Sequence, residues 1–322
     1  MSKISFAGRV AIVTGAGGGL GRGYALELAS RGAAVVVNDL GTNSDGTAGP
    51  SPMADAVVEE IRKAGGKACA SYESVATTEG GEAIVQTAIR NFGRVDVLIN
   101  NAGILRNAPF DELTDAAIDA MLSVHLKGAF NVTRPAYRHM KAQRYGRVLF
   151  ASSAAGMLGN AEQSAYGAAK AGLVGLMNVL SLEGANHGVL CNALLPTAES
   201  RMGAQMPAAQ MKDFVDLYAQ GAALMGNSGT APFVTPLVVY LVSEACQSTH
   251  AIYSAALGRY ARVFVAASGG WLGPVDKPCA VEDVHTHFAE IADREQLFVP
   301  DSLRDEFVTI LGQRGKRQVQ RG

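Results

Sequence analysis

The sequence predicts an α/β protein built on a doubly wound parallel sheet of seven strands. Short apolar runs alternate with helix-like segments through residue 267, and parallel strands require such crossover connections. A glycine cluster directly after the first run is the second observation that favours this class. The predicted strands are Val10–Val13, Ala34–Val37, Ala68–Tyr72, Val95–Ile99, Val148–Ala151, Val189–Leu195 and Val263–Ala267.

The glycine cluster TGAGGGLG, Thr14 to Gly21, lies between the first strand and an amphipathic segment, Tyr24–Arg31. Glycines let the backbone approach a pyrophosphate, and the N–H groups at the start of the following helix favour its negative charge. The pattern therefore predicts a Rossmann-like dinucleotide site. Its predicted contacts in this turn are Gly15, Gly19, Leu20 and Gly21.

The second predicted strand ends at Asp39. An acidic side chain there accepts hydrogen bonds from both hydroxyls of an adenosine ribose and repels a 2′-phosphate. The cofactor is therefore predicted to be NAD(H) rather than NADP(H). Arg22, beside the glycine turn, is the one feature that could weaken this preference.

A third feature is the trio Ser153, Tyr166 and Lys170. Tyr166 and Lys170 are one helical turn apart, so their side chains leave the same helix face, and Ser153 follows the fifth strand. We expect Tyr166 to act as the base, Lys170 and an oxidised nicotinamide to lower the pKa of Tyr166, and Ser153 to orient the substrate oxygen. A Tyr and a Lys four residues apart also occur on ordinary helix surfaces, so the trio alone leaves that reading open.

Taken together and in this order, the motifs resemble the classical short-chain dehydrogenase/reductase family. Within it, segments such as VVVNDLG, NNAGILR and SRM are similar to the (3R)-hydroxyacyl-CoA dehydrogenases of multifunctional enzymes. The family motifs are TGxxxGxG at Thr14–Gly21, NNAG at Asn100–Gly103, Ser153, and YxxxK at Tyr166–Lys170.

The resemblance implies further cofactor contacts. Asn101 is expected on the adenosine side, although a structural amide that bridges two strands is an equal alternative. Ser74 and Val75 are expected to bracket the adenine, where the family usually has an aspartate in place of Ser74. Pro196–Ser200 takes the place of the loop that holds the nicotinamide carboxamide, with Ser200 as the predicted contact.

His125 occupies a position where many members of the family have an asparagine that holds a proton-relay water. A histidine ring nitrogen can hold a water as well, and the hydroxyacyl-CoA subgroup resembles this sequence in that feature. The prediction is that His125 passes the proton towards solvent. The alternative is a buried histidine without a catalytic part.

The region from Met202 to Met225 is rich in methionine and interrupted by glycine, which predicts a mobile lid over a hydrophobic substrate; a buried helix has the same pattern. The dehydrogenase domain is predicted to span residues 1–273. Residues 274–322 are predicted to form a helical extension with a basic tail.

Composition limits the function classes. A formal net charge of −1 gives no reason to expect a nucleic-acid partner or an anionic membrane surface. The apolar runs look too short to span a bilayer and no signal peptide is recognised, so a cytoplasmic protein is expected. No histidine or cysteine spacing predicts a metal site.

These observations predict an enzyme that transfers hydride between a secondary alcohol and NAD⁺. The expected substrate is hydrophobic, either a 3-hydroxyacyl-CoA or a hydroxysteroid. Alternatives are a 3-oxoacyl carrier-protein reductase, which Asp39 disfavours because those enzymes usually take NADPH, and an NAD-binding sensor without turnover. Small residues along the segment from Tyr166 to Asn186, together with the resemblance, predict a homodimer or homotetramer.

Overall fold

The computed structural model describes residues 3–43, 45–47, 53–198 and 226–319. The chain forms two compact units, Met1–Arg262 and Val263–Gly322. The first unit ends eleven residues before the predicted domain boundary at residue 273, because the chain after Arg262 makes its contacts within the second unit. Ser200 and the predicted lid, Met202–Met225, lie outside the described residues.

The first unit is built on one sheet, in the order β3-β2-β1-β4-β5-β6-β7-β8, and the register shows the seven strands from β1 to β7 to be parallel. This confirms the predicted doubly wound class. The strands are β1 Val10–Thr14, β2 Ala34–Asn38, β3 Lys67–Ser71, β4 Val97–Asn100, β5 Gly146–Ala151, β6 Val189–Thr197, β7 Ala251–Ala256 and β8 Arg259–Val263.

Helices cross over between the parallel strands. One of them is interrupted by a π-helical turn, Leu122–Lys127, that carries His125. The α-helices of the first unit are α1 Gly19–Ser30, α2 Met53–Lys63, α3 Thr78–Phe92, α4 Asp115–Met121, α5 Gly128–Gln143, α6 Ala154–Leu158, α7 Ser164–Gly184 and α8 Thr235–Leu241. Short 3₁₀ turns occur at Phe110–Glu112, Ala185–His187 and Ala231–Phe233.

The prediction of a seventh strand at Val263–Ala267 was wrong. The seventh parallel strand is Ala251–Ala256, and an eighth strand, Arg259–Val263, follows it after two residues, which makes that pair an antiparallel hairpin. Leu257 and Gly258 both have positive φ, as a type I′ turn requires. The sequence IYSAALGRYARV lacks the usual Asn-Gly or Asp-Gly signal, which is why the hairpin was missed.

The sheet is buried on both faces. Every residue of β1 is buried, and apolar side chains of α1, α2 and α8 pack into the same core. Parallel strands covered by helices on both sides read as continuous apolar runs, which is why six of the seven strand predictions are confirmed in place.

The expectation that every apolar stretch is too short to span a bilayer was wrong, because one helix is long and apolar enough to do so. Ser164–His187 is 24 residues long with a mean hydropathy of 1.2 over its most apolar window. A core helix passes the same test, and 44% of that window is buried in the protein. Because α7 packs against the sheet and carries Tyr166 and Lys170, we interpret it as a core helix.

The second unit contains a short two-stranded antiparallel sheet, β9 Ala267–Ser268 with β10 Leu297–Phe298. Its helices are α9 Val281–Thr286, α10 Phe288–Ile291 and α11 Leu303–Val319. The predicted helical extension is interrupted between α9 and α10 at His287, whose ring stacks on Trp271 at a centroid distance of 4.4 Å.

A buried aspartate ties the amino ends of β1 and β4 together. Asp96 is fully buried and accepts hydrogen bonds from the Val10 N–H at 2.9 Å and from the guanidinium groups of Arg9 and Arg94. This cluster lies at the opposite edge of the sheet from the ends of Thr14 and Asn100. It therefore stabilises the sheet without contacting the glycine turn.

We expect Asp96→Ala to lower the free energy of unfolding by about 3 kcal/mol, because it leaves two guanidinium groups and a buried N–H without their acceptor. Urea denaturation at matched protein concentration measures the change.

The matched control is Glu244→Ala, which removes the other ion-pair partner of Arg9. The Glu244 side chain is 72% exposed, so its loss should cost less than about 1 kcal/mol. Equal losses from the two variants would show that the buried cluster adds nothing beyond a surface ion pair.

Candidate active site

The glycine turn lies where the strand order reverses, between β1 and β4, which is where doubly wound sheets bind ligands. Gly15 has φ +64° and no room for a side chain: a Cβ there would lie 2.8 Å from the Ala102 Cα. At Gly17 a Cβ would lie 2.8 Å from the Asp39 carboxylate. Only glycine can therefore form this turn without moving the neighbouring strands' ends.

Helix α1 begins at Gly19 with no side-chain cap and no acidic residue in its first turn. The N–H groups of its first turn lack intrahelical partners and carry the positive end of the helix dipole. This arrangement suits the pyrophosphate of a dinucleotide, so the observed turn fits the predicted cofactor.

A cavity of about 300 Å³ runs from this turn along the carboxyl edge of the sheet. It brings together all the predicted cofactor contacts except Ser200. Its described lining includes the predicted residues Gly15, Gly19, Leu20, Gly21, Asp39, Ser74, Val75, Asn101, Tyr166 and Lys170.

Asp39 holds the loops on either side of it. One carboxylate oxygen accepts from the Gly17 N–H and the other from the Gly41 N–H, both at 2.8 Å. Each oxygen keeps a lone pair, so the carboxylate that shapes the glycine turn can also accept from ribose hydroxyls.

The charges along the described lining favour a cofactor without a 2′-phosphate. Asp39 and Glu73 are its carboxylates, and Lys170 is its one basic side chain. Arg22, which could have bound a 2′-phosphate, instead pairs with Glu60 of α2 at 2.5 Å and does not line this cavity. The feature expected to weaken the NAD preference is thus directed elsewhere.

Asn101 acts as the strand-bridging amide that the sequence left open. Its Nδ2 donates to the Thr14 carbonyl at 2.9 Å and to the Gly15 carbonyl at 3.1 Å, which joins the ends of β1 and β4. It also lines the cavity, so the structural role does not remove it from the adenosine side.

Ser74 and Val75 follow β3 and form the wall opposite the glycine turn. The Ser74 hydroxyl accepts from the Ala76 N–H, and the Val75 carbonyl accepts from the buried Asn131 amide at 2.9 Å. Asn131 was not recognised in the sequence, because nothing local predicts that a helix residue holds this loop.

The predicted catalytic trio lies close together, and two of its members, Tyr166 and Lys170, line the cavity. Ser153 is the N-cap of α6, where its hydroxyl accepts from the Ala155 N–H and hydrogen-bonds Tyr166. Lys170 Nζ lies 5.5 Å from the centroid of the Tyr166 ring and donates to the Ala151 carbonyl at 2.5 Å. Tyr166, Ser153 and Lys170 are therefore neighbours, as the sequence predicts.

A sequence comparison decides the family. The profile of the short chain dehydrogenase family matches residues 9–210. The chain belongs to this family.

Individual relatives agree. A short-chain type dehydrogenase/reductase of Mycobacterium tuberculosis is 46% identical over 285 residues, which cover 88% of this chain and 94% of the relative. Peroxisomal multifunctional enzyme type 2 of Mus musculus is 42% identical over 309 residues, covering 96% of this chain and 37% of that enzyme. The chain thus spans little more than a third of the mouse enzyme.

The fold is shared with a solved structure. Full-length peroxisomal multifunctional enzyme type 2 from Drosophila melanogaster has a TM-score of 0.77 and 34% identity over 97% of this chain and 50% of that chain.

Two less similar relatives have names that specify a reaction. A 3-oxoacyl-[acyl-carrier-protein] reductase of Synechocystis is 39% identical over 58% of this chain and 73% of that protein. A D-beta-hydroxybutyrate dehydrogenase of Cupriavidus necator is 33% identical over 74% of this chain and 93% of that protein.

Burial dominates the acid-base properties of the dehydrogenase site. It lowers the pKa of Lys170 to about 7 and raises the pKa of Tyr166, which the Ser153 hydrogen bond opposes. The expectation that Lys170 lowers the pKa of Tyr166 has no support in the protein without cofactor, because Lys170 is not among the groups that shift it.

His125 is buried in the π-helical turn and packs edge-on against Tyr166, with ring centroids 5.2 Å apart. Its Nε2 lies 2.7 Å from the Ile104 carbonyl, and its Nδ1 is buried without a hydrogen-bond partner among the described residues. Burial, with a smaller contribution from Lys170, holds the pKa of His125 well below its usual value. The ring is therefore neutral.

A second, small cavity of about 10 Å³ lies beside this ring and is lined by His125, Lys170, Asn100 and Thr14, among others. That volume is close to the lower limit for one water molecule. His125 and Lys170 thus line the same small space, which Tyr166 does not line.

Two residues that shape the site were missed in the sequence. The Ser152 hydroxyl donates to the Lys170 carbonyl at 2.7 Å, and Gly156 lets α6 lie against α7, since a Cβ there would be 3.0 Å from the Lys170 Cβ. Their positions next to Ser153 were the available signal. Within the described part of the chain, no group of three or more His, Cys, Asp and Glu side chains could hold a metal ion.

The pKa of Lys170 predicts a pH dependence of stability in the cofactor-free protein. The folded pKa is about 7, below the unfolded value of roughly 10.4, so the unfolded chain binds more protons between these values and stability rises with pH. Between pH 7 and pH 9 the wild type should gain about 2 kcal/mol more than Lys170→Met. Urea denaturation at the two pH values measures this difference.

Lys63→Met is the control, because the Lys63 side chain is 78% exposed and should leave the pH dependence as in the wild type. If wild type and Lys170→Met changed in parallel from pH 7 to pH 9, Lys170 would not be neutral in the folded protein.

Proposed function

We propose that this short-chain dehydrogenase oxidises the 3-hydroxyl of a 3-hydroxyacyl-CoA with NAD⁺ as acceptor. The observation that carries the proposal is one continuous cavity with the glycine turn and Asp39 at one end and Tyr166 and Lys170 at the other. A dinucleotide whose pyrophosphate lies on the turn would extend towards Tyr166, where its reactive ring is needed.

The residues divide the chemistry among them. Oxidised nicotinamide, when bound, supplies the hydride acceptor and a positive charge beside the trio. Ser153 orients the substrate hydroxyl by a hydrogen bond. Tyr166 accepts the proton of that hydroxyl while the carbon that bears it gives up a hydride. We assign to Lys170 the role of holding the nicotinamide ribose.

The state of Tyr166 sets when the reaction can begin. Burial raises the pKa of its phenol, so Tyr166 stays protonated in the protein without cofactor. Loss of that proton requires a positive charge in the cavity, which the cofactor brings. This order would prevent the base from being charged before the acceptor is present.

His125 and Lys170 support a route for the proton. Both line the small cavity of about 10 Å³, and the unpartnered Nδ1 of His125 is available as an acceptor when Nε2 donates to Ile104. We propose that this space passes the proton on from Lys170. A neutral His125 suits the task, since it can accept a hydrogen bond without repelling the Lys170 ammonium.

The preference for NAD⁺ rests on charge. A 2′-phosphate near Asp39 would meet carboxylates, and no arginine or lysine of the described lining lies at that end. This disfavours the alternative of an NADPH-dependent 3-oxoacyl carrier-protein reductase. The intact trio disfavours an NAD sensor without turnover.

The substrate class rests on the relatives. The names of the two less similar relatives both specify chemistry at carbon 3 of an acyl chain, as a 3-oxoacyl and a D-beta-hydroxybutyrate group. A hydroxysteroid is the second candidate, which the predicted hydrophobic lid would also accommodate.

We also propose a homodimer or homotetramer. Helix α7 presents one stripe of exposed small and apolar side chains, at spacings of three and four residues that fall on one face. The stripe consists of Ala168, Ala171, Gly175, Val179 and Leu182. Small residues at such positions allow two helices to approach closely.

The proposal predicts the outcome of an assay for reduced cofactor over 3-hydroxyacyl-CoAs of four to sixteen carbons and several hydroxysteroids. We expect kcat/KM to be at least about tenfold higher with NAD⁺ than with NADP⁺, since a repelled phosphate costs more than about 1.4 kcal/mol. We also expect kcat/KM to rise with acyl length, at about 0.8 kcal/mol per buried methylene, until the cleft is full.

Asp39→Ala should reduce the NAD⁺ over NADP⁺ discrimination at least about fivefold and weaken NAD⁺ binding by about 1.5 to 3 kcal/mol. Glu73→Gln is the comparison, because Glu73 is the other carboxylate of the described lining but is exposed, and it should reduce the discrimination less than Asp39→Ala does. Wild-type activity that is equal with both cofactors contradicts the NAD assignment. A flat profile over acyl length, or a preference for small polar alcohols, contradicts the hydroxyacyl-CoA assignment and leaves the dehydrogenase assignment standing.

The mechanism predicts that Tyr166→Phe lowers kcat at least about a hundredfold, the loss typical of a general acid-base group, with NADH binding nearly unchanged. Stopped-flow turnover and NADH fluorescence titration measure the two quantities. Tyr240→Phe is the matched control, since Tyr240 is 46% exposed on α8 and does not line the cavity. A Tyr166→Phe protein with near-normal kcat would overturn the mechanism.

A further inference from the structure

The described residues that follow Asp39, Gly41–Asn43 and Asp45–Thr47, form one wall of the cofactor cavity and are named here the Gly41–Thr47 turn. Thr42, Asn43 and Gly46 line the cavity on the side where Asp39 faces it. The Gly41 N–H donates to the Asp39 carboxylate at 2.8 Å, so the start of this segment is attached directly to the predicted ribose contact.

The described part of the segment closes on itself as a turn. The Asn43 N–H donates to the Thr47 carbonyl at 2.9 Å, and the Gly46 N–H donates to the Asn43 carbonyl at 3.0 Å. The Asp45 carboxylate accepts from the Thr47 N–H at 2.9 Å and from its hydroxyl at 2.7 Å. Gly46 has φ +88°, which favours glycine at that position.

This turn is attached to the catalytic half of the site through Arg106. Arg106 Nε donates to the Asp45 carbonyl at 2.9 Å, and Nη1 donates to the Ala116 carbonyl at 3.3 Å in the first turn of α4. Beside it, the turn approaches Ile104: a Cβ built on Gly46 would lie 3.2 Å from the Ile104 Cδ1. Ile104 in turn packs in the apolar cluster against Tyr166.

Arginine is suited to this task because its planar guanidinium presents donors in a fixed geometry and can join two carbonyls of different segments. Arg106 itself does not line the cavity. Without it, the turn keeps its internal hydrogen bonds and the bond from Gly41 to Asp39 but loses the bond from Arg106 that connects Asp45 to Ala116. Binding a cofactor would then require ordering the wall, which costs conformational entropy.

We propose that Arg106 is a positioning residue that holds the Gly41–Thr47 turn as the wall of the adenosine subsite, and so sets dinucleotide affinity without touching the dinucleotide. The proposal rests on the proposed function in one respect, that the adenosine half lies at the Asp39 end of the cavity. Arg106 thereby connects the adenosine subsite to the segment after β4, which also carries Ile104.

The test uses the full chain with Arg106→Ala and Arg106→Lys. Hydrogen exchange on the cofactor-free protein should show the Gly46 and Thr47 amides exchanging at least about tenfold faster in Arg106→Ala, with the amides of Ile12 and Val36 in the central strands unchanged. Isothermal titration with ADP-ribose should show about tenfold weaker binding. Arg106→Lys should have an intermediate exchange rate and an intermediate affinity, because the single ammonium of lysine can replace only one of the two N–H donors of Arg106.

The kinetic readout separates positioning from catalysis. In Arg106→Ala the KM for NAD⁺ should rise about tenfold, while kcat at saturating NAD⁺ stays within about twofold of the wild type. Arg62→Ala is the matched control, because Arg62 also donates twice to a backbone carbonyl, Ala68, at 2.9 and 3.1 Å, but does not line or contact the wall of the cavity. It should leave ADP-ribose binding within about twofold.

Unchanged exchange at Gly46 and Thr47 in a folded Arg106→Ala protein would overturn the proposal, and so would faster exchange with unchanged ADP-ribose affinity. A drop in kcat without a change in ADP-ribose affinity would also overturn it. The proposed function fails separately: a wild type that binds 2′-phospho-ADP-ribose more tightly than ADP-ribose refutes the NAD assignment, while Arg106→Ala still weakens whichever of the two binds.

Discussion

The site depends on the hydrogen bonds that join the carboxyl ends of β1 and β4. The Thr14 hydroxyl accepts from the N–H groups of Asn101 and Ala102, both at 3.0 Å, and the Asn101 amide donates back to the carbonyls of Thr14 and Gly15. These bonds cross the point where the strand order reverses. They fix the glycine turn on one side and, on the other, the segment after β4 that carries Ile104 and Arg106.

That junction positions both the residues predicted to bind the cofactor and the residues predicted to transfer the proton. Towards β2 it places the glycine turn against Asp39, whose carboxylate serves the turn and the loop after it at once. Towards β5 it places Ile104 against Tyr166 and within hydrogen-bond distance of His125 Nε2. A change at the junction would therefore affect cofactor binding and proton transfer together, although the two ends of the cavity contain different residues.

Burial is the second constraint, and it acts against ionisation. It makes Lys170 easier to deprotonate and Tyr166 harder, and it keeps His125 neutral. Removal of these groups from water disfavours each charged form, so Tyr166 and His125 stay neutral near pH 7 while Lys170 is divided between its two forms.

Most of the sheet could be predicted because strands covered on both faces read as short apolar runs, as in Val10–Val13 and Val148–Ala151. The hairpin of β7 and β8 could not, because Leu257 and Gly258 adopt their turn without the residues that usually signal one, and the exposed strand β8 is not apolar. The run Val263–Ala267 was predicted as the seventh strand instead, because it is short and apolar like the strands of the parallel sheet. Helix α7 shows the converse, since its length and composition suit a membrane as well as a core.

The sequence by itself determined the family and the parallel sheet, and it located the candidate site residues Gly15, Asp39, Ser153, Tyr166 and Lys170, because short motifs keep functional groups at fixed spacings along helices and turns. Tertiary structure alone decided how these groups are charged and held. The pairing of Arg22 with Glu60, the bridging role of Asn101, and the attachment of the Gly41–Thr47 turn by Arg106 all join residues distant in sequence. No local pattern specifies such contacts, since they depend on which segments the folded sheet brings to one edge.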